Sequence, residues 1–197
     1  MDSEVARSRR VILRGELGEY AVDAFSERVG WPRLSESEAD IEAWIPRQVT
    51  WEIDSATTLH YMEDLISDTA YLMVIGNDQG VVHSAVGKVE NELEVWSIDE
   101  LIENVETGES AEDIALAVLR LGMGSPLKYS NRVFRCIENA LKSDSLKVQE
   151  GAVWSITYEA WPAFRVPLRE LLDSSPEGEF TQTVRHLLNE LDEGDDS

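Results

Sequence analysis

The spacing of apolar residues changes rhythm several times along this chain, and each rhythm predicts an element. Residues 2–29 read as helical, most clearly from Glu16 to Val29, where Leu17, Ala21, Ala24 or Phe25, and Val29 recur every three or four positions. Trp31-Pro32 ends that element. Ser35 with Glu38 forms a capping-box pattern ahead of Ile41, Trp44 and Ile45, which predicts a short helix interrupted at Pro46. VTWEI (49–53) is β-branched and aromatic and predicts a strand. TTLHYMEDLI (57–66) places Leu59, Met62, Leu65 and Ile66 on one side of a helix, and the continuous apolar run AYLMVI (70–75) predicts a second strand.

GNDQG suits a hairpin turn, but Val82, Val86, Val89 and Leu93 follow at helical spacing with one buried stripe. The preferred reading is a helix capped by Asn77 or Asp78 and running to about Glu92, followed by a strand over LEVWSI (93–98). A crossover helix between strands favours parallel neighbours, so residues 49–100 predict a small α/β layer. Asp99 then caps ELIENV, and ETGES (106–110) is the expected linker. From Ala111 onward every rhythm is helical. Ile114, Ala115, Val118 and Leu119 form one stripe; Val133, Phe134, Ile137 and Leu141 form the next. Val148, Ala152 and Ile156 mark a third helix, Phe164, Leu168, Leu171 and Leu172 a fourth, and Val184, Leu187, Leu188 and Leu191 a fifth. Short connections imply antiparallel neighbours. The expected fold is α+β and mostly helical: an acidic N-terminal α/β region at 1–110, a helical region at 111–192, and a disordered acidic tail at 193–197.

Charge sharpens this picture. The 197 residues hold 39 acidic and 17 basic side chains, a net charge of −22, which repels phosphate backbones and argues against direct nucleic-acid binding. Residues 1–110 carry −16 of it. From Val89 to Leu119 there are ten acids and no lysine or arginine. Three uses of such charge compete: solubility, docking of a basic partner, and a halophilic or GC-rich composition, which the four lysines among the 17 bases also suit. A single cysteine, Cys136, excludes an internal disulfide. The start MDSEVARSRR has no apolar stretch after its charges, which predicts no signal peptide and a cytoplasmic protein. An apolar run such as Tyr71 to Ile75 falls far short of the roughly 20 residues needed to span a bilayer, so no membrane partner is expected.

ENALKSDSLKVQEGAVWSI (138–156) resembles the centre of a HEAT repeat, matching at Asp144 in the turn and at Val148 and Ala152 in the second helix. VPLRELLDSSPEGEFTQTVRHLLNEL (166–191) resembles a second unit, with Pro167 where the family kinks its first helix, Leu171 and Leu172 at that helix's end, Asp173 opening the turn, and Val184-Arg185 starting the next helix. Gln149 stands where the family has Arg, and the second turn is several residues long. The resemblance implies HEAT-like antiparallel repeats that stack to bury faces too large to cover alone. Trp161-Pro162 would then mark a joint, with Pro162 in a first helical turn and Trp161, like Trp154, packed inside.

Catalytic chemistry is thinly represented. His60, His83 and His186 are dispersed, no metal-ligand spacing occurs, and no cofactor is expected. A helix over 57–66 would set His60 one turn from Asp64, so an enzyme using His60, Glu63 and Asp64 is one alternative reading; a DNA-mimicking or scaffold regulator is another. The favoured expectation is a non-enzymatic protein–protein interaction protein, in its narrower form a bacterial immunity protein, an antitoxin that neutralises a basic toxin. Its expected docking residues are Glu90, Glu92, Glu94, Asp99, Glu100 and Glu103 around Trp96, an aromatic anchor flanked by steering carboxylates.

Overall fold

The computed structural model describes residues 5–15 and 18–193. The predicted class holds: the described residues are mostly helical, with eight α-helices and one antiparallel sheet near the N-terminus. By backbone contacts the chain divides into two compact units, 1–96 and 97–197. The expected linker at 106–110 lies inside the second of these, over the last two residues of one helix and the short connection to the next. No helix among the described residues is long and apolar enough to cross a membrane.

The first unit is a sheet carrying two helices. Its strands are β1 (Ala6–Arg7), β2 (Val11–Ile12), β3 (Arg33–Ser37), β4 (Gln48–Asp54), β5 (Thr57–Asp64) and β6 (Thr69–Gly76), and its helices are α1 (Gly18–Val29) and α2 (Gln79–Glu92). The order is β1-β6-β5-β4-β3, with β2 also on β6, and every pairing is antiparallel. The expected parallel layer is therefore corrected. The reason is residues 57–64: Thr57, Leu59 and Tyr61 are buried in strict alternation, a period of two that outweighs the helical spacing of Leu59 and Met62. A two-residue turn at Ser55-Ala56, stabilised by Asp54 Oδ1 accepting the Ala56 amide at 2.9 Å, folds β5 directly back on β4.

Other local expectations shift likewise. Residues 6–7 and 11–12 are strands, and only the later part of the 2–29 helix forms; its expected members Glu16 and Leu17, and residues 2–4, lie outside the described residues. Ser8 bridges β1 and β2, its amide donating to the Val74 carbonyl at 2.9 Å and its Oγ accepting the Val74 amide at 3.0 Å. The expected helix after Ser35 is strand β3 followed by a tight turn. The expected strand at 93–98 reduces to one bridge, Leu13 with Val95. Helix α2 forms as predicted, with the Asp78 side chain accepting the Gly80 and Val81 amides. Val22 and Phe25 of α1 and Val82, Ala85 and Val89 of α2 join Val49, Trp51, Leu59, Tyr61, Leu72 and Val74 in one core.

The second unit is entirely helical among its described residues: α3 (Ile98–Thr107), α4 (Ala111–Met123), α5 (Asn131–Leu141), α6 (Leu146–Ile156), a 3₁₀ turn (Pro162–Phe164), α7 (Arg165–Ser174) and α8 (Glu179–Glu193). Ser97, not Asp99, caps α3, in a reciprocal capping box with Glu100. Short connections pair α3 with α4, α5 with α6 and α7 with α8. The most extensive contact joins α4 to α6, where two glycines remove the side chains that would hold the backbones apart. A Cβ on Gly151 would lie 2.6 Å from the Ala115 carbonyl oxygen, and one on Gly122 would overlap the Ser155 carbonyl. Since 115 meets 151 and 122 meets 155, the two helices run in the same sense.

Trp161 is buried and stacks on Phe164 with centroids 5.8 Å apart, while Tyr129 meets it edge-on at 5.4 Å. Pro162 opens the 3₁₀ turn, where a missing amide is no loss. Pro167 is the third residue of α7 and so also falls among the first amides that lack a partner within the helix, where its missing N–H costs no helical hydrogen bond. Trp154, expected inside, is 42% exposed. Helix α8 extends to Glu193, and the remainder of the predicted tail, residues 194–197, lies outside the described residues.

Candidate partner-binding groove

The expected docking block is not one surface of free carboxylates. Glu90 meets Arg9 at 2.7 Å and Glu92 meets Arg28 at 2.6 Å, so two of its members in the first unit are already paired within that unit. Glu94 is exposed, and its backbone carbonyl accepts the Arg14 amide at 2.8 Å. Trp96 is half-buried, and the Arg14 guanidinium sits 4.1 Å from its ring centroid. The ring expected to anchor a basic partner thus already carries an arginine of its own unit on its face. In the second unit, Glu100 closes the capping box with Ser97, and Asp99 pairs with Arg132 at 2.6 Å.

Asp99 and Glu103 come together in a groove between α3 and α5, about 730 Å³ in volume. One wall presents Asp99, Glu103 and Glu106 of α3, and the other Arg132, Arg135, Cys136 and Asn139 of α5. Ile102, Val105, Ile114, Ala140 and Val148 line it with apolar surface. The i, i+3 and i+4 geometry of α3 explains this: its apolar stripe (Leu101 and Ile102 buried, Val105 half-buried) runs beside a stripe of acids at 99, 103 and 106.

The charges of the two walls are unequally answered. Arg132 is met by Asp99, and Arg135 by Glu138 at 2.6 Å; Glu138 also takes Lys142 at 2.9 Å. The hydrogen bonds from Lys142 and Arg135 hold the Glu138 carboxyl below its ordinary range. Glu103 and Glu106 make no ion pair with any described residue. Burial, and secondarily the charge of Glu106, pushes the Cys136 thiol up to about 11, so it lines the groove as a neutral thiol. Glu106, Arg132 and the apolar lining were absent from the sequence-derived site. The signal that could have found them was the alignment of acids and aliphatics along two facing helices.

The alternative acid–base group disperses. On a strand, His60 and Asp64 stand about 13 Å apart along the chain rather than one helical turn. His60 lies between Gln48 Nε2 at 3.1 Å and Thr58 Oγ1 at 2.8 Å, and burial lowers its pKa and keeps it neutral. Glu63 accepts the Tyr61 hydroxyl at 2.9 Å, and Asp64 accepts the Ser67 amide and hydroxyl at 2.7 and 2.8 Å, capping a turn. Among the described residues no group of three His, Cys, Asp or Glu side chains could hold a metal. Comparison with protein families, characterised proteins and solved structures finds no match to this chain.

Proposed function

We propose that this chain is a non-enzymatic interaction protein whose second unit docks a basic, amphipathic segment of another protein in the α3–α5 groove. The carrying observation is Glu103 and Glu106, two unpaired carboxylates beside an apolar lining, opposite arginines whose charge is already met. Apolar residues of an incoming helix would cover the half-buried Val105 and Ile114, and its lysines or arginines would answer the two glutamates. The hairpin pairs α3/α4, α5/α6 and α7/α8, with α4 and α6 running in the same sense, support reading this unit as HEAT-like repeats. A cytoplasmic immunity protein that neutralises a basic bacterial toxin is the narrower form, supported by the net charge of −22 and by this groove.

The test uses a designed helical peptide with leucine on one face and lysine on the other, together with the product of the neighbouring gene. Association with each should slow steeply as salt rises through about 0.1 M, where the Debye length is about 10 Å. Glu103→Gln with Glu106→Gln should weaken both by about tenfold, the equivalent of about 1.4 kcal/mol, without changing the fold. Binding that ignores salt and both substitutions would overturn the groove assignment.

A further inference from the structure

The walls of the α3–α5 groove carry opposite charge. On α3, Glu103 and Glu106 lie one helical turn apart and pair with no described residue, which leaves that wall two negative charges to be answered. On α5, Arg135 and Lys142 share the single carboxylate of Glu138, so two cations meet one anion and a net positive charge remains. Arg135 lines the groove, whereas the Glu138 side chain is 13% exposed and lies outside the lining. The remaining pair, Arg132 with Asp99, is neutral as a whole and ties the two walls together at 2.6 Å.

The ends of the groove differ as well. Asp99 and Arg132 stand near the starts of α3 and α5, so the two helices begin side by side. Toward the other end the lining passes through Cys136 and Asn139 to Ser143, in the turn after α5. A helix lying along the groove with its apolar face down has two flanks. Turning it end for end keeps that face down and exchanges the flanks between the walls. Equal walls would accept both directions alike. Here one direction sets lysines against Glu103 and Glu106, and the other sets them against Arg135, a like charge that penalises the wrong placement.

We infer that this groove selects the direction of its partner helix, with a cationic flank along α3 and a neutral or acidic flank along α5. The inference rests on the docking proposed above and adds the kind of helix that fits, one whose charges are sorted by flank. Two blocked helical peptides test it. Both have leucines on one face; the first has lysines along one flank and glutamates along the other, and the second has the two exchanged, so their composition is the same. Each carries a nitroxide at its N-terminus and is added to the full chain. Broadening of the amide signals should place the label of the first peptide at one end of the groove, Arg132 or Ser143, in about tenfold excess, and that of the second at the opposite end. Glu103→Gln with Glu106→Gln should reduce the excess to under about threefold, since Arg135 alone then tells the flanks apart. Equal broadening at both ends, the same end for both peptides, or an excess unchanged by the two substitutions would overturn the direction while leaving the docking intact. No binding by either peptide would overturn the docking itself and this inference with it.

Discussion

The two units carry the same net charge and hold it differently. Residues 1–96 have 19 acidic and 8 basic side chains and residues 97–197 have 20 and 9, so each unit is −11. In the first unit the arginines gather acids around them. Arg33 meets Glu19 and Asp23 at 2.7 Å and also Glu36, while Arg47 reaches Glu19, Glu36 and Glu38. In the second, Arg132 and Arg135 each take one carboxylate, and Glu103 and Glu106 are left beside an apolar groove. Net charge alone therefore does not locate a docking surface. What locates it is charge that has no internal partner and stands next to surface worth removing from water.

The comparison can be broken most sharply at the α4–α6 contact. Gly122→Ala should destabilise the second unit by about 3 kcal/mol or more, because the added methyl meets backbone, which cannot rotate away. Residue-resolved amide exchange in urea should place the loss in residues 97–193; a loss of under about 0.5 kcal/mol would mean that the two helices are not in close contact. The matching change in the first unit has the opposite sign. Gly87 sits inside α2 with open space where a Cβ would go, so Gly87→Ala should raise stability by about 0.5–1 kcal/mol in the same experiment.

At neutral pH the smallest effect concerns the groove thiol, which shows itself only in alkaline solution. A folded-state pKa raised to about 11 means that the folded protein holds this proton more tightly than the unfolded chain, whose thiol titrates near 9. The stabilisation is complete below pH 9 and is lost as pH rises toward 11. Wild type should therefore lose more stability than Cys136→Ala across that window, and the two should change in parallel between pH 6 and 8. At pH 8 a disulfide reagent should label folded Cys136 on the order of 100-fold more slowly than the unfolded chain. Labelling at the unfolded rate would show that the groove wall is wet.

Helices whose signals are local were legible in the sequence. Asp78 caps α2 where expected, and the stripes of α5, α6, α7 and α8 are buried as their spacing implies, with Leu172 of α7 only half-buried. The sheet was less legible because strand pairing is decided by partners distant in sequence. Residues 57–64 satisfy both periods, and the Ser55-Ala56 turn lacks the glycine, proline or asparagine that would announce it. The docking block was misread for a similar reason. Arg9 reaches Glu90 across 81 positions and Arg28 reaches Glu92 across 64, distances at which a run of acids gives no hint of its partners. Asp99 and Glu103 entered the expected site only as members of the acidic run around Trp96, and Asp99, expected to cap α3, lies inside it.

The β3 strand has a consequence for how the molecule behaves at high concentration. All five of its residues are exposed, and among the described residues it pairs with β4 alone, so one row of backbone donors and acceptors faces away from the sheet. The opposite border of the sheet is blunted by brevity, with β1 and β2 only two residues each and Ser8 bridging them. The β3 border relies on electrostatics instead: Glu36 and Glu38 are partly answered by Arg33 and Arg47, but Asp40 and Glu42 follow them just beyond the strand, so a second copy approaching edge to edge meets an acidic excess like its own. Salt that screens this repulsion weakens the guard, so β3 is the border to protect when the protein is concentrated at high ionic strength.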